Sequence, residues 1–246
     1  MPIEIALMNA SKTLNDTEVS NALKALQTQV SRDFAPVWGV DANLTFYGQG
    51  QNVRSGSWWL VALDNSDQAG ALGYHDLTTE GLPLGKIFAA SDRQVGLQWS
   101  VTASHELLEM LVDPDINLTT FVEDASGRGG GRLYAYEVCD ACEADEFGYD
   151  VNGTLVSDFV YPPWFESFRT QGSTQFDKQG RIEQPFQLLT GGYIGIYDVL
   201  TGSGWQQLTA QLGPKHRRVR PPVGSRRERR RTPKRDWQRS TVKLGR

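Results

Sequence analysis

Apolar and polar residues follow strand and helix periodicities through the first half of the chain. Residues 2–8 are apolar at alternate positions and predict a first strand. Apolar residues then recur at helical spacing, which predicts a helix from a cap at Asn15 or Asp16 to about Phe34. Further strands are predicted over residues 42–47, 58–63, 69–75 and 85–90.

A second helix is predicted over about residues 98–112. It should end before Pro114, because the residue preceding a proline disfavours helical geometry. A glycine-rich loop at residues 127–132 follows, with strand-like segments at 132–138, 154–160 and 193–199. Strands and helices do not alternate regularly, so the predicted class is α+β: a mixed sheet packed on a long helix.

The composition is that of a globular protein, with 39% hydrophobic residues among 246. No apolar run approaches the roughly 18 residues of a membrane helix. The N-terminus lacks a basic region followed by an apolar core, which predicts no signal peptide and a cytoplasmic or virion-associated protein. Two cysteines three positions apart form no disulfide framework.

Charge divides the chain near residue 214. Residues 215–246 hold 14 Lys and Arg against 2 acidic residues, a local charge of +12, and the rest carries −16. We therefore predict a globular domain over residues 1–213 and an Arg-rich arm over 214–246 that is disordered when free. Such a segment is suited to phosphate contacts, to docking on an acidic protein surface, or to solubility alone. The contact residues predicted are Arg226, Arg227, Arg229, Arg230, Arg231, Lys234 and Arg235.

The second predicted helix carries the most informative motif, an HExxE sequence. His105 and Glu109 are four residues apart and hence neighbours on one helix face, and both residue types bind divalent metals. Glu106 takes the position of the general base in HExxH metalloproteases. A bound metal lowers the pKa of a water molecule, and a carboxylate must accept the released proton. The alternative is an exposed amphipathic helix whose polar residues face water.

Further potential ligands follow in residues 137–142. Glu137 and Asp140 are each a candidate for completing the metal site. Cys139 and Cys142 are interpreted first as buried thiols, with a local bridge or a metal role as the alternatives. His75 is either a further ligand or an ordinary hydrogen-bonded histidine.

The HExxE helix ending in Asp113-Pro114, followed by the Glu137-x-x-Asp140-x-Cys142 segment, resembles zincin-like proteins of the EXORDIUM-like and phage or bacterial type. The resemblance covers about residues 69–165. It implies a zincin-like fold in which His105 and Glu109 bind one divalent metal. Glu137 or Asp140 would complete the site. Zinc is the expected ion, and manganese or calcium would also suit this ligand set.

Two functions follow as hypotheses. The first is a metal-dependent hydrolase, a peptidase in which Glu106 accepts a proton from water and the strand near residues 85–90 holds an extended peptide by edge pairing. The second is a catalytically inactive, zincin-derived structural protein of a phage-type particle. Its basic arm would bind DNA or a neighbouring subunit.

Overall fold

A five-stranded mixed sheet is the largest unit of the computed structural model, which describes residues 2–67, 71–124, 130–202 and 204–210. Its strands are β1 (Ile3–Asn9), β2 (Ala42–Tyr47), β3 (Trp58–Leu63), β4 (Gly73–Leu77) and β5 (Pro83–Phe88). The strand order across the sheet is β2-β1-β3-β5-β4. Neighbouring strands are parallel except for β4 and β5, which are antiparallel.

The helical segment after β1 begins where the sequence predicts and ends four residues later. Helix α1 (Asp16–Thr28) starts at a capping box in which Asn15 and Glu18 exchange hydrogen bonds between side chain and backbone. It continues as a π-helix (Gln29–Phe34) and a short α2 (Ala35–Trp38). Gly39 then ends the helix in the left-handed conformation.

Two more helices follow β5. Helix α3 (Ala89–Val95) takes up the end of the segment predicted as a strand, and α4 (Trp99–Val112) carries the HExxE motif. Helices α1 and α4 pack on one face of the sheet, α4 mainly on β4 and β5. That face and the two helices form the main apolar core, which includes Leu7, Leu60 and Ile87. The mixed sheet packed on a long helix is therefore confirmed.

Smaller antiparallel sheets make up the second half of the described chain. Their strands are β6 (Thr119–Glu123), β7 (Gly131–Ala135), β8 (Tyr149–Val151), β9 (Thr154–Val156), β10 (Tyr193–Asp198) and β11 (Trp205–Thr209). A four-stranded sheet has the order β11-β10-β7-β6, and a hairpin pairs β8 with β9. Short 3₁₀ helices occur at Asp140–Cys142, Asp145–Phe147 and Pro162–Phe165. Within the described ranges, no helix is long and apolar enough to cross a membrane.

The sheet order corrects one prediction. The strand near residues 85–90 was expected at the sheet edge, but β5 lies between β3 and β4 and is paired on both sides. The outermost strand on this side is β4. An extended peptide therefore cannot pair with β5, because its main-chain groups are already used by its neighbours.

Candidate metal centre

Helix α4 is buried along almost its whole length, from Trp99 to Leu111. A helix buried on all sides must satisfy its polar side chains within the protein. Thr102 donates a hydrogen bond to Asp92 Oδ1 (2.9 Å), and Ser104 donates one to Gln29 Oε1 (2.6 Å). The remaining polar residues of the central turns are those of the HExxE motif.

His105 and Glu109 meet across one helical turn. The distance from His105 Nε2 to Glu109 Oε1 is 3.2 Å, and the same nitrogen lies 3.2 Å from Asp140 Oδ1. The backbone N–H of Cys139 donates to Glu109 Oε1 at 3.2 Å. Residues 139–140 therefore bring a thiol and a carboxylate to the same side of α4.

His75 approaches the motif from β4. Its Nδ1 lies 3.5 Å from Glu106 Oε2 and 3.5 Å from Glu109 Oε2, and its Nε2 lies 3.7 Å from Glu137 Oε2. The imidazole is 1% exposed, so these contacts lie in the interior. A functional role for His75 was one of two alternatives from sequence, and the structure brings the residue into the cluster.

A glycine of the sheet makes room for Glu106. A Cβ atom at Gly73 would lie 2.7 Å from Glu106 Oε1, closer than real Cβ contacts, whereas one at Gly85 would make an ordinary contact of 3.5 Å with Glu106 Cβ. Gly85 is also the register partner of His75. The glycines and His75 therefore share the sheet face toward α4, because alternate residues of a strand point to the same side.

Two groups of three side chains have the spacing of metal ligands. One is His105, Glu109 and Cys139, and the other is His75, Glu109 and Glu137. Within each group the ligand atoms lie within 4.8 Å of one another, and all the side chains are buried. Two ligand atoms about 2.1 Å from a tetrahedral ion lie about 3.4 Å apart, close to the 3.2 Å between His105 and Glu109. The donors present fit a divalent metal.

Burial and mutual repulsion shift the ionisation of these groups. Burial raises the pKa of Glu109 to about 7; His105 opposes this rise, and the carboxylates of Asp140 and Glu137 add to it. Burial disfavours a charge on His105, but Glu109 and Asp140 raise its pKa well above the ordinary value. Burial also raises the pKa of the Cys139 thiol. A cation would favour the deprotonated ligands and reverse these tendencies.

Tyr193 of β10 supports Asp140 from the second half of the chain. Burial, followed by the nearby Asp140 carboxylate, raises the Tyr193 pKa well above the ordinary range, and the Tyr193 hydroxyl in turn favours the charged form of Asp140. Beside it, a Cβ atom at Gly192 would lie 2.3 Å from the Ala141 carbonyl oxygen. The close approach that glycine permits here seats Asp140 against β10. The sequence contains no local signal for this contact.

The predicted site residues fall into three groups. His105, Glu106, Glu109, Glu137 and Asp140 lie together, with Glu137 on the His75 side and Asp140 on the His105 side. Cys139 and Cys142 are buried free thiols, and Cys139 joins the cluster. The arm residues Arg226, Arg227, Arg229, Arg230, Arg231, Lys234 and Arg235 lie outside the described residues.

Comparison with known proteins adds no assignment. No family model, curated protein or solved structure matches the chain. The resemblance to zincin-like proteins therefore stays a prediction. The geometry of the buried cluster is the remaining evidence for a function.

Proposed function

We propose that this protein is a metal-dependent hydrolase of peptide bonds with a zincin-like site. One observation carries the proposal: His105 and Glu109, one turn apart on a buried helix, meet ligand-type side chains from the segment that includes Cys139 and Asp140. A single polar pair would not require a cation. Several carboxylates packed around imidazoles in the interior favour a bound cation, because uncompensated buried charge is strongly unfavourable.

His105 and Glu109 would hold the ion, with Cys139 and Asp140 beside them. A nitrogen, an oxygen and a sulfur donor together favour zinc over the harder calcium ion. The ion, when bound, would polarise a substrate carbonyl and lower the pKa of a water molecule. The chain's own contribution is to fix the donors on packed elements and to exclude bulk solvent.

Glu106 is the general base of this proposal. It adjoins His105 in sequence, and its carboxylate lies in the space left by Gly73, 3.5 Å from His75 Nδ1. In that position it accepts a proton from the attacking water and returns it to the leaving amine. His75 lies beside this carboxylate, on β4.

The test compares the full-length metal-loaded protein with Glu106→Gln on a library of unstructured peptides. We expect kcat to fall by about 10²- to 10⁴-fold with bound metal unchanged, because only the proton acceptor is removed. Glu123→Gln, the same chemical change on the exposed face of β6, is the matched control and should behave as the wild type. Equal cleavage by wild type and Glu106→Gln would refute the proposed role.

The burial of the site favours a second candidate function, a structural one. His105, Glu106 and Glu109 are each 3–4% exposed, and β4 is buried from Gly73 to Asp76, which leaves little open surface for a peptide. In this candidate the metal is structural, and the protein is a non-catalytic component of a phage-type particle whose basic arm contacts DNA or a neighbouring subunit. Metal-loaded wild type that cleaves no peptide would support it over the hydrolase.

A further inference from the structure

We propose that the cluster is a dinuclear centre, with a second divalent ion held by His75, Glu109 and Glu137 and with Glu109 bridging the two ions. This inference rests on the metal site of the proposed function but does not require hydrolysis. The second site draws on β4 and on residue 137, which the HExxE motif does not include.

The two oxygens of Glu109 face different partners. Oε1 lies 3.2 Å from His105 Nε2 and accepts the backbone N–H of Cys139, whereas Oε2 lies 3.5 Å from His75 Nδ1. Glu109 is the one residue shared by the two groups with ligand spacing among the described residues. A carboxylate placed in this way bridges two ions, and paired ions in hydrolytic centres typically lie about 3.5–4 Å apart.

The charge of the cluster also favours two ions. Glu106, Glu109, Glu137 and Asp140 are each 3–6% exposed, and the two imidazoles between them are neutral when they bind metal. Counting these groups and the deprotonated Cys139 thiol of the first site, one divalent ion would leave a formal charge of about −3 in the interior, and two would reduce it to about −1. Buried charge without compensation is unfavourable, so the second ion would stabilise the cluster by reducing its net negative charge.

The two sites differ in donor chemistry. The His105 site offers a thiol, whereas the second site offers an imidazole nitrogen and two carboxylates. The second set is harder and accepts manganese as well as zinc. Mn²⁺ suits the His105 site as well, because the carboxylates of Glu109 and Asp140 lie beside His105 there. It is the probe of choice because its electron spin reports whether two ions are close.

The experiment measures bound Mn²⁺ in the full-length protein. The chain is stripped with a chelator, dialysed against Mn²⁺, desalted and analysed for metal per protein. We expect about two equivalents in the wild type and about one in Glu137→Gln, because the amide keeps the shape of the side chain but loses the negative charge that holds the ion. His75→Ala should also give one, and Glu123→Gln, the matched surface change, should give two.

Electron paramagnetic resonance provides the second readout. The wild type should show the signal of exchange-coupled Mn²⁺ ions, and Glu137→Gln the signal of isolated Mn²⁺. One equivalent in the wild type, two uncoupled ions, or two ions retained in both Glu137→Gln and His75→Ala would overturn the dinuclear centre. One ion with Glu106-dependent hydrolysis would leave the proposed function standing, whereas no bound ion would overturn both.

Discussion

Asp158 and Asp177 are as deeply buried as the carboxylates around α4, but their surroundings differ. Asp158 Oδ1 accepts the backbone N–H groups of Phe159 (2.8 Å) and Gln179 (3.2 Å). Asp177 accepts those of Arg181 and Ile182, both at 3.0 Å. Burial, followed by the nearby Asp177 carboxylate, raises the pKa of Asp158 to about 8. Burial and the neighbouring carboxylate therefore favour the protonated form of Asp158, and main-chain donors enclose both side chains.

The carboxylates at α4 instead face titratable side chains from separate segments. Glu109 takes one backbone N–H from Cys139, and its other close neighbours include both imidazoles. Comparison of the two regions shows two ways to bury negative charge. A proton and the main chain suffice for two aspartates, whereas the larger cluster has the ligand spacing of a metal site. The predictions below test this difference.

Metal removal should have the largest effect on stability, and this effect should depend on the cluster at α4 and not on the aspartate pair. A ligand present at about 1,000 times its Kd stabilises the native state by about 4 kcal/mol. We expect saturating Zn²⁺ to raise the thermal midpoint of the wild type and of Asp158→Asn by similar amounts relative to chelated protein. His105→Ala should lose most of that rise. A midpoint that does not respond to Zn²⁺ in the wild type would contradict the metal assignment.

The aspartate pair should show the next largest effect, in the pH dependence of stability. The folded-state pKa of Asp158, about 8, exceeds the ordinary value near 4, so the folded state retains a proton that the unfolded state releases. This contribution is fully present below about pH 4 and is lost as the pH rises toward 8. The free energy of unfolding should therefore fall by about 2 kcal/mol more in the wild type than in Asp158→Asn between about pH 6 and pH 8.

Asp158→Asn is the informative variant because its amide keeps an acceptor oxygen for Phe159 and Gln179 and replaces the carboxyl proton of Asp158 with a permanent donor. Urea unfolding of both proteins across this pH range, with chelator present, gives the comparison. Parallel curves for the two proteins would show that Asp158 does not hold the proton.

A smaller effect on stability is expected for the hydrogen bonds that connect α4 to the π-helix. Ser104 donates to Gln29 Oε1 and accepts the backbone N–H of Ser157 at 3.0 Å, next to His105 in sequence. Ser104→Ala leaves both partners unpaired in the interior, which should cost about 1–2 kcal/mol in denaturant unfolding. The same change at exposed Ser55 is the control and should be close to neutral. A neutral Ser104→Ala would show that the network adds little.

Local patterns predicted the parts of the fold that depend on local physics. Strands β2 and β3 have the predicted bounds, and α4 ends at Val112 as Pro114 requires. The helix from Asp16 continues past Phe34 to Trp38 because Pro36 lies in the first turn of α2, where a proline is tolerated, and Gly39 ends it. Helix α3 was missed because it follows β5 directly, and its first two residues fit a strand pattern as well.

The candidate site was predictable only along α4. Placing His75 requires the register of β4 against β5, which is set by pairing rather than by the residues near His75. The division of Glu137 and Asp140 between two sides depends on the turn at residues 137–142 and on its contact with β10. The incorrect edge position of β5 has the same origin, since strand order is decided by long-range contacts.

The separation of the ligands along the chain has a kinetic consequence. His75, α4 and Glu137 come from segments that meet only when distant strands and loops are in place. Contacts of this kind form late, because the entropy of closing the intervening loops must be lost first. An ion that binds only the assembled site acts after the rate-limiting step of folding. Metal should therefore lengthen the lifetime of the native state without accelerating its formation.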